Sequence, residues 1–181
     1  KISSDLQDMV MAIRMVALST TFMKMHRSVR DMTRKLSKDV RLDVYGEETE
    51  VDKNIIEKIA DPLMHIIRNA IDHGIEEEEE RIAAGKNRQG TITLEAKNSG
   101  SDVLIIIKDD GKGLDRHKIY EKAYNQGLVY QSIEDMKDKD IYRLILNPGF
   151  SMKEQVTEFS GRGVGMDVVA KNIESVGGSV I

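Results

Sequence analysis

The chain has 181 residues, 40% of them hydrophobic and 32% charged, with a formal net charge of −4 and no cysteine. That length suits one soluble domain with a substantial core. The acidic balance argues against a nucleic-acid partner, the missing cysteines exclude disulfides and thiolate metal sites, and the longest apolar run, 103–107, is too short for a membrane span or secretory leader.

Residues 5–36 carry apolar side chains three and four apart, from Leu6 through Phe22 to Leu36, which predicts a long N-terminal helix. Val40, Leu42 and Val44 alternate with polar residues and predict a half-buried strand. Asp52 is placed to cap the next helix. Asp61-Pro62 is expected to restart it, with the proline in a first turn, and Gly74 to end it. After a charged stretch at 76–81, strands are expected at 91–97 and 102–108, joined as an antiparallel hairpin by Ser99-Gly100-Ser101, with the second strand central. Asp115 opens a helix ending near Gly127, a short helical segment spans 138–146, a polar loop covers 147–165, and a last helix runs over about 164–176. The order implies an α+β fold with an antiparallel or mixed sheet and helices on one face.

Three motifs carry candidate chemistry. The first is the segment from His65 to Gly74. Leu63, Ile66, Ile67 and Ala70 form its apolar stripe, and His65, Arg68, Asn69, Asp72 and His73 lie opposite. Asn, Asp and His are poor helix formers, so their clustering mid-helix suggests a ligand-facing site; a solvated polar face is the alternative. Asn69 offers a hard amide oxygen for Mg²⁺, and His65, one turn earlier, a group that can exchange a proton or donate to phosphate.

The second motif is Asp109-Asp110-Gly111-Lys112-Gly113 at a strand end. A carboxylate at Asp109 can accept from an exocyclic amine such as that of adenine, and Gly111 and Gly113 leave room for a flat base. An ordinary surface turn is the alternative. Lys118 and Lys122, one turn apart on the following helix, supply local positive charge suited to phosphate. The third motif is Gly161-Arg162-Gly163-Val164-Gly165-Met166, a glycine loop before a helix start that favours an anion. It is neither a dinucleotide fingerprint nor a Walker loop, because Met166 replaces the third glycine and no Gly-Lys pair precedes Ser or Thr.

Taken in order, the helix motif His65-x-x-x-Asn69-x-x-Asp72, then Asp109-x-Gly111-x-Gly113, then Gly161-x-Gly163-x-Gly165 resemble the N box and two glycine boxes of the GHKL (Bergerat-type) ATPase and kinase superfamily. The longer strings Asp61-Pro62-Leu63-Met64-His65, Arg68-Asn69-Ala70-Ile71-Asp72-His73-Gly74, Pro148-Gly149-Phe150-Ser151 and Gly161 to Val169 resemble the chemotaxis histidine kinases within it. The resemblance covers nearly the whole chain. It implies a two-layer α/β sandwich with a mixed, mostly antiparallel sheet behind an N-terminal helix. Residues 1–16 would be the tail and linker of a dimerisation-domain helix, and 17–181 an ATP-binding catalytic domain short of its final strands.

By position, the resemblance implies that Asn69 binds Mg²⁺, that His65, Asp72 and His73 lie near the phosphates, and that Asp109 reads adenine over Gly111 and Gly113. It implies phosphate contacts for Lys118 and a catalytic one for Lys122. Residues 147–165 would form an ATP lid, with Phe150 and Ser151 at its start and Gly161, Arg162, Gly163, Val164, Gly165 and Met166 at its end. It implies a cytoplasmic homodimeric kinase that phosphorylates a histidine on a separate phosphotransfer domain and serves chemoreceptors, a CheW-like coupling protein and response regulators. Two departures stand out: Ala17 occupies a usual proline position, and the chain stops before the last strands. The acceptor is expected outside this chain, since His26 is followed by Arg27 rather than an acidic residue. A nucleotide-gated clamp ATPase and a non-catalytic docking scaffold are the competing readings.

Overall fold

A computed structural model describes residues 13–148, 150 and 166–181. The first part of the expected N-terminal helix, together with Ser151, Gly161, Arg162, Gly163, Val164 and Gly165, lies outside the described residues.

Where one helix over 5–36 is expected, the chain instead makes a short strand, β1 (Met15–Ala17), and then α1 (Ser19–Leu36). The strand wins because a partner exists: β1 pairs antiparallel with β3 (Glu50–Asp52), Val16 opposite Val51, and the Lys53 amide donates to the Arg14 carbonyl at 2.7 Å. Helical spacing in this stretch cannot reveal a strand whose partner is 35 residues away. Within α1 the stripe Phe22, Met25, Val29, Met32 is buried as the three-and-four spacing predicts.

The main sheet has the order β2 (Val40–Tyr45), β4 (Gly90–Ser99), β5 (Asp102–Asp109). β2 runs parallel to β4, Leu42 opposite Ile92, and β4 and β5 form the expected antiparallel hairpin. Among the described residues β4 is the strand with neighbours on both sides, and its Ile92, Leu94 and Ala96 are buried at 0, 0 and 3% exposure. Among the described residues, the central place expected of β5 is held by β4. The apolar run of β5 is only half-buried, its Val103, Ile105 and Ile107 packing against the core.

Helix α2 (Lys53–Asn69) is capped by Asp52, whose carboxylate accepts from the Asn54 amide at 3.0 Å. It does not restart at Pro62. Pro62 sits inside a continuous helix, buried between the buried Ile59 and Leu63. Proline there costs one helical bond. Packing of α2 on α1 and on α6 (Met166–Glu174) keeps the helix whole. The apolar face of α2 joins the first core with α1 and the sheet.

A second, smaller core lies under α4 (Arg116–Asn125), α5 (Asp138–Arg143) and the 3₁₀ turn Leu144–Leu146, the helix α3 (Glu78–Ala83) lying earlier in the chain. It gathers Ile119, Ala123, Val129, Ile141, Leu144 and Phe150. The architecture is α+β: a mixed sheet with a helical layer over its core face.

Candidate nucleotide site

After Asn69 the helix widens into one turn of π-helix, Ala70–Gly74, closed by the Ile75 amide donating to the Ala70 carbonyl at 2.7 Å. Such turns are rare and concentrate at functional sites. Sequence spacing reads straight through it as ordinary helix. Ile71 and Ile75 bury themselves at 0 and 2% exposure, and between them Asp72 and Gly74 are half-buried and His73 is exposed. His73 Nε2 lies 3.4 Å from an Asp72 carboxylate oxygen.

The polar face of α2 is not uniformly open. Asn69, Arg68 and Asp72 are half-buried, whereas His65 is 8% exposed. The expectation that His65 lies opposite the apolar stripe is therefore corrected. α2 is packed by α1 on one side and α6 on another, so its buried arc is wider than a single stripe and takes in Pro62, Leu63, Met64, His65 and Ile67, while Ile66 stays half-buried.

Asp109 follows from the pleat. It pairs with Ile92 and continues the alternation Val103, Ile105, Ile107, so its side chain shares the face of β5 that meets the helical layer. Its carboxylate reaches the π-turn: a Cβ on Gly74 would sit 3.4 Å from the Asp109 Oδ1. The same oxygen accepts from the Gly111 amide at 2.9 Å, and the Lys112 amide donates to the Gly74 carbonyl at 2.9 Å. A Cβ on Gly111 would fall 2.1 Å from that carbonyl, so glycine is dictated here by the approach of two backbones. Gly113 differs, with φ of +76° and open space where a Cβ would stand. The end of α2 and the Asp109 turn thus meet at Gly74.

An ionic cluster built on the buried side chains of Arg81 and Glu76, unforeseen in the sequence, fastens this junction. Arg81 is 1% exposed. Its Nε donates to the Asn87 carbonyl at 2.7 Å, Nη1 to Glu76 at 3.1 Å, and Nη2 to the Asp110 carboxylate at 3.0 Å. Lys86 donates to Glu76 at 2.7 Å and to the Gly111 carbonyl at 2.9 Å, and the second Asp110 oxygen accepts from the Thr91 amide at 2.8 Å. Burial raises the Glu76 pKa, but the hydrogen bond from Lys86, its own backbone and the charges of Lys86 and Arg81 together outweigh this and hold it below the ordinary glutamate value. In the sequence, Glu76 and Arg81 bracket a charged stretch in which nothing sets these two apart as buried. In the structure Glu77, Glu78, Glu79 and Glu80 between them are exposed.

Of the remaining candidates, Lys118 is exposed on α4, which Asp115 caps through the His117 and Lys118 amides. Lys122 is half-buried, its ammonium 5.4 Å from the centroid of the Phe150 ring. Phe150 is 1% exposed and belongs to the second core. Met166 opens α6, half-buried.

For a metal, no cluster of three His, Asp or Glu able to hold one exists among the described residues. Asn69 offers a single amide oxygen. That donor fits Mg²⁺, which keeps most of its waters and shares phosphate oxygens, and does not fit an ion needing an all-protein cage.

This arrangement, a helix ending in polar residues against a strand-end aspartate and glycine turn, has a family. The model of the histidine kinase-, DNA gyrase B- and HSP90-like ATPases matches residues 58–181, and the chain belongs to that family. Within it, the chain is 46% identical over 181 residues to the chemotaxis protein CheA of Bacillus subtilis, covering 99% of this chain and 27% of that protein. To CheA of Salmonella typhimurium it is 49% identical over 176 residues, covering 97% and 26%. The chain thus spans about a quarter of the length of these curated relatives. The solved nucleotide-free catalytic domain of the histidine kinase ThkA superposes with a TM-score of 0.53 at 16% identity, covering 90% of this chain and 80% of that one, a likeness of fold. No helix among the described residues is long and apolar enough to cross a membrane.

Proposed function

We propose that this chain is the ATP-binding catalytic domain of a chemotaxis histidine kinase, transferring the γ-phosphoryl group of ATP to a histidine on a separate phosphotransfer domain. The observation that carries the reading is the junction at Gly74, where the polar end of α2 and the Asp109 turn come together in the order the family's boxes require. The identity of 43–49% with CheA relatives over nearly the whole chain supports chemotaxis in particular.

In this reading Asp109 accepts from the adenine amine, with the base over Gly111 and Gly113. Asn69 holds Mg²⁺, which when bound would neutralise phosphate charge. Asp72 and His73 border the phosphates from the π-turn, and Lys118 and Lys122 approach them from α4, Lys122 steadied by Phe150. Ser151 and the segment Gly161, Arg162, Gly163, Val164, Gly165 and Met166 flank the lid. Catalysis is then positioning and charge compensation, because phosphoryl transfer asks little covalent chemistry of the protein. His65 stands one turn before Asn69, where relatives that hydrolyse ATP carry a glutamate that activates water. A buried imidazole in that place leaves water poorly activated and favours transfer to an outside histidine. We assign residues 1–16 to the end of the dimerisation domain and its linker, Met15 and Val16 of the linker pairing with β3, and 17–181 to the catalytic domain. The whole protein is a cytoplasmic homodimer that works with a CheW-like coupling protein, chemoreceptors and response regulators.

The test is to incubate the chain with Mg²⁺ and γ-labelled ATP beside a separate phosphotransfer domain. Label is expected on the acceptor histidine, and lost with Asn69→Ala. Steady release of inorganic phosphate with no labelled acceptor would instead identify a clamp-type ATPase.

A further inference from the structure

The turn that displays Asp72, His73 and Gly74 is held from outside by a residue that belongs to neither α2 nor the glycine turn. Lys38 follows Ser37, the left-handed residue (φ 54°) that ends α1. Its ammonium donates to three carbonyls at once: Ile71 at 3.0 Å, Asp72 at 2.9 Å and Ile75 at 2.9 Å. An ammonium has three donors, so all are used. The carbonyls are those a helix leaves unpaired at its C-terminal end, where the helix dipole favours a cation. All three bonds are partly buried. Ile71 and Ile75 pin the turn to the core from within, and Lys38 pins the backbone of the same residues from without. Between these anchors stand Asp72, His73 and Gly74, and Gly74 in turn receives the Lys112 amide.

We infer that Lys38 is a positioning residue for the nucleotide site: it selects the π-turn over a frayed or α-helical ending, and through Gly74 it sets the place of the Asp109–Gly111 turn. The inference rests on the nucleotide reading above, since Lys38 touches backbone and acts on nucleotide only through the turn. It makes the end of α1 part of the site. Displacing α1 would withdraw the ammonium and loosen the turn.

The chain has no cysteine, which permits a charge-rescue experiment on the full chain. Lys38→Cys removes the ammonium, and alkylation with bromoethylamine rebuilds one of nearly the same reach. Amide hydrogen exchange and the affinity for a non-hydrolysable ATP analogue are measured on the wild type, Lys38→Cys and its aminoethylated form. If the competent turn falls to a tenth of the molecules in Lys38→Cys, affinity falls about tenfold. Exchange should quicken at 72–75 and 111–112 but not in β4, and aminoethylation should restore both. Unchanged local exchange in Lys38→Cys overturns the inference, as does slack throughout the molecule that aminoethylation fails to correct. If the wild type itself does not bind the analogue, the nucleotide reading fails by itself, while the exchange pattern still decides whether Lys38 holds the turn.

Discussion

At the scale of single residues, the junction is fastened by an ion pair the solvent barely reaches, Arg81 with Glu76, flanked by the more exposed Asp110 and Lys86. Arg81 joins Glu76 to Asp110 with its side chain 2% exposed. Removing one member of a buried pair costs about 3–5 kcal/mol when the other charge is left uncompensated; here Lys86 still reaches Glu76 and Asp110 is half-exposed, so the loss lies toward the low end, about 3 kcal/mol. Arg81→Met should therefore lower the free energy of urea unfolding by about that much, whereas Arg88→Met, whose partner Glu78 is exposed, should change it by less than about 1 kcal/mol. Glu76 adds a pH dependence. Its folded pKa is depressed, so its contribution is present above the unfolded value and is lost as pH falls through the folded one. The urea midpoint should drop on acidification below the ordinary glutamate value of 4.5, and Glu76→Gln should show a shallower drop from a lower starting stability. Parallel curves for the two proteins would contradict this. The position of Asp109 was readable because it closes the apolar run of β5 just before a glycine turn, and the structure ends the strand there. Arg81 and Lys38 were not, because a cation's burial depends on carbonyls and carboxylates that only the folded chain assembles.

At the scale of elements, periodicity located what packs on its neighbours in sequence and missed what packs on distant ones. The α1 stripe, the 99–101 hairpin and the Asp52 and Asp115 caps depend on local spacing, and all are present. β1 needed β3, the continuity of α2 through Pro62 needed α1 and α6, and the π-turn leaves the same apolar spacing as an α-turn for the residues it contains. The two glycines of the Asp109 turn separate by physical cause. Gly111→Ala puts a methyl group 2.1 Å from the Gly74 carbonyl and must push the turn off α2. Gly113→Ala meets nothing within 4 Å and costs only the left-handed backbone penalty, about 1–2 kcal/mol. Nucleotide-analogue affinity should fall further in Gly111→Ala than in Gly113→Ala. Equal losses would mean that the contact with Gly74 does not shape the site.

At the scale of the molecule, the two cores divide the labour. The larger one, under α1, α2 and the sheet, fixes Asn69, the π-turn and Asp109 relative to one another; the smaller one seats Phe150 beneath Lys122. Fold class and family were legible early because three short motifs fall in order along one chain, a constraint far stronger than any of them alone. The details that were not legible, the burial of His65 and the clamp around Glu76, arise where separate elements close on one another. In the proposed function, Asn69 and the Asp109 turn serve one nucleotide. The most direct test of this is calorimetric titration with a non-hydrolysable ATP analogue, with and without Mg²⁺, on the wild type, Asn69→Ala and Asp109→Ala. Asn69→Ala should abolish the Mg²⁺-dependent part of binding, and Asp109→Ala should weaken binding by about 1–3 kcal/mol in either condition. Wild-type affinity for the analogue in both folded variants would contradict it.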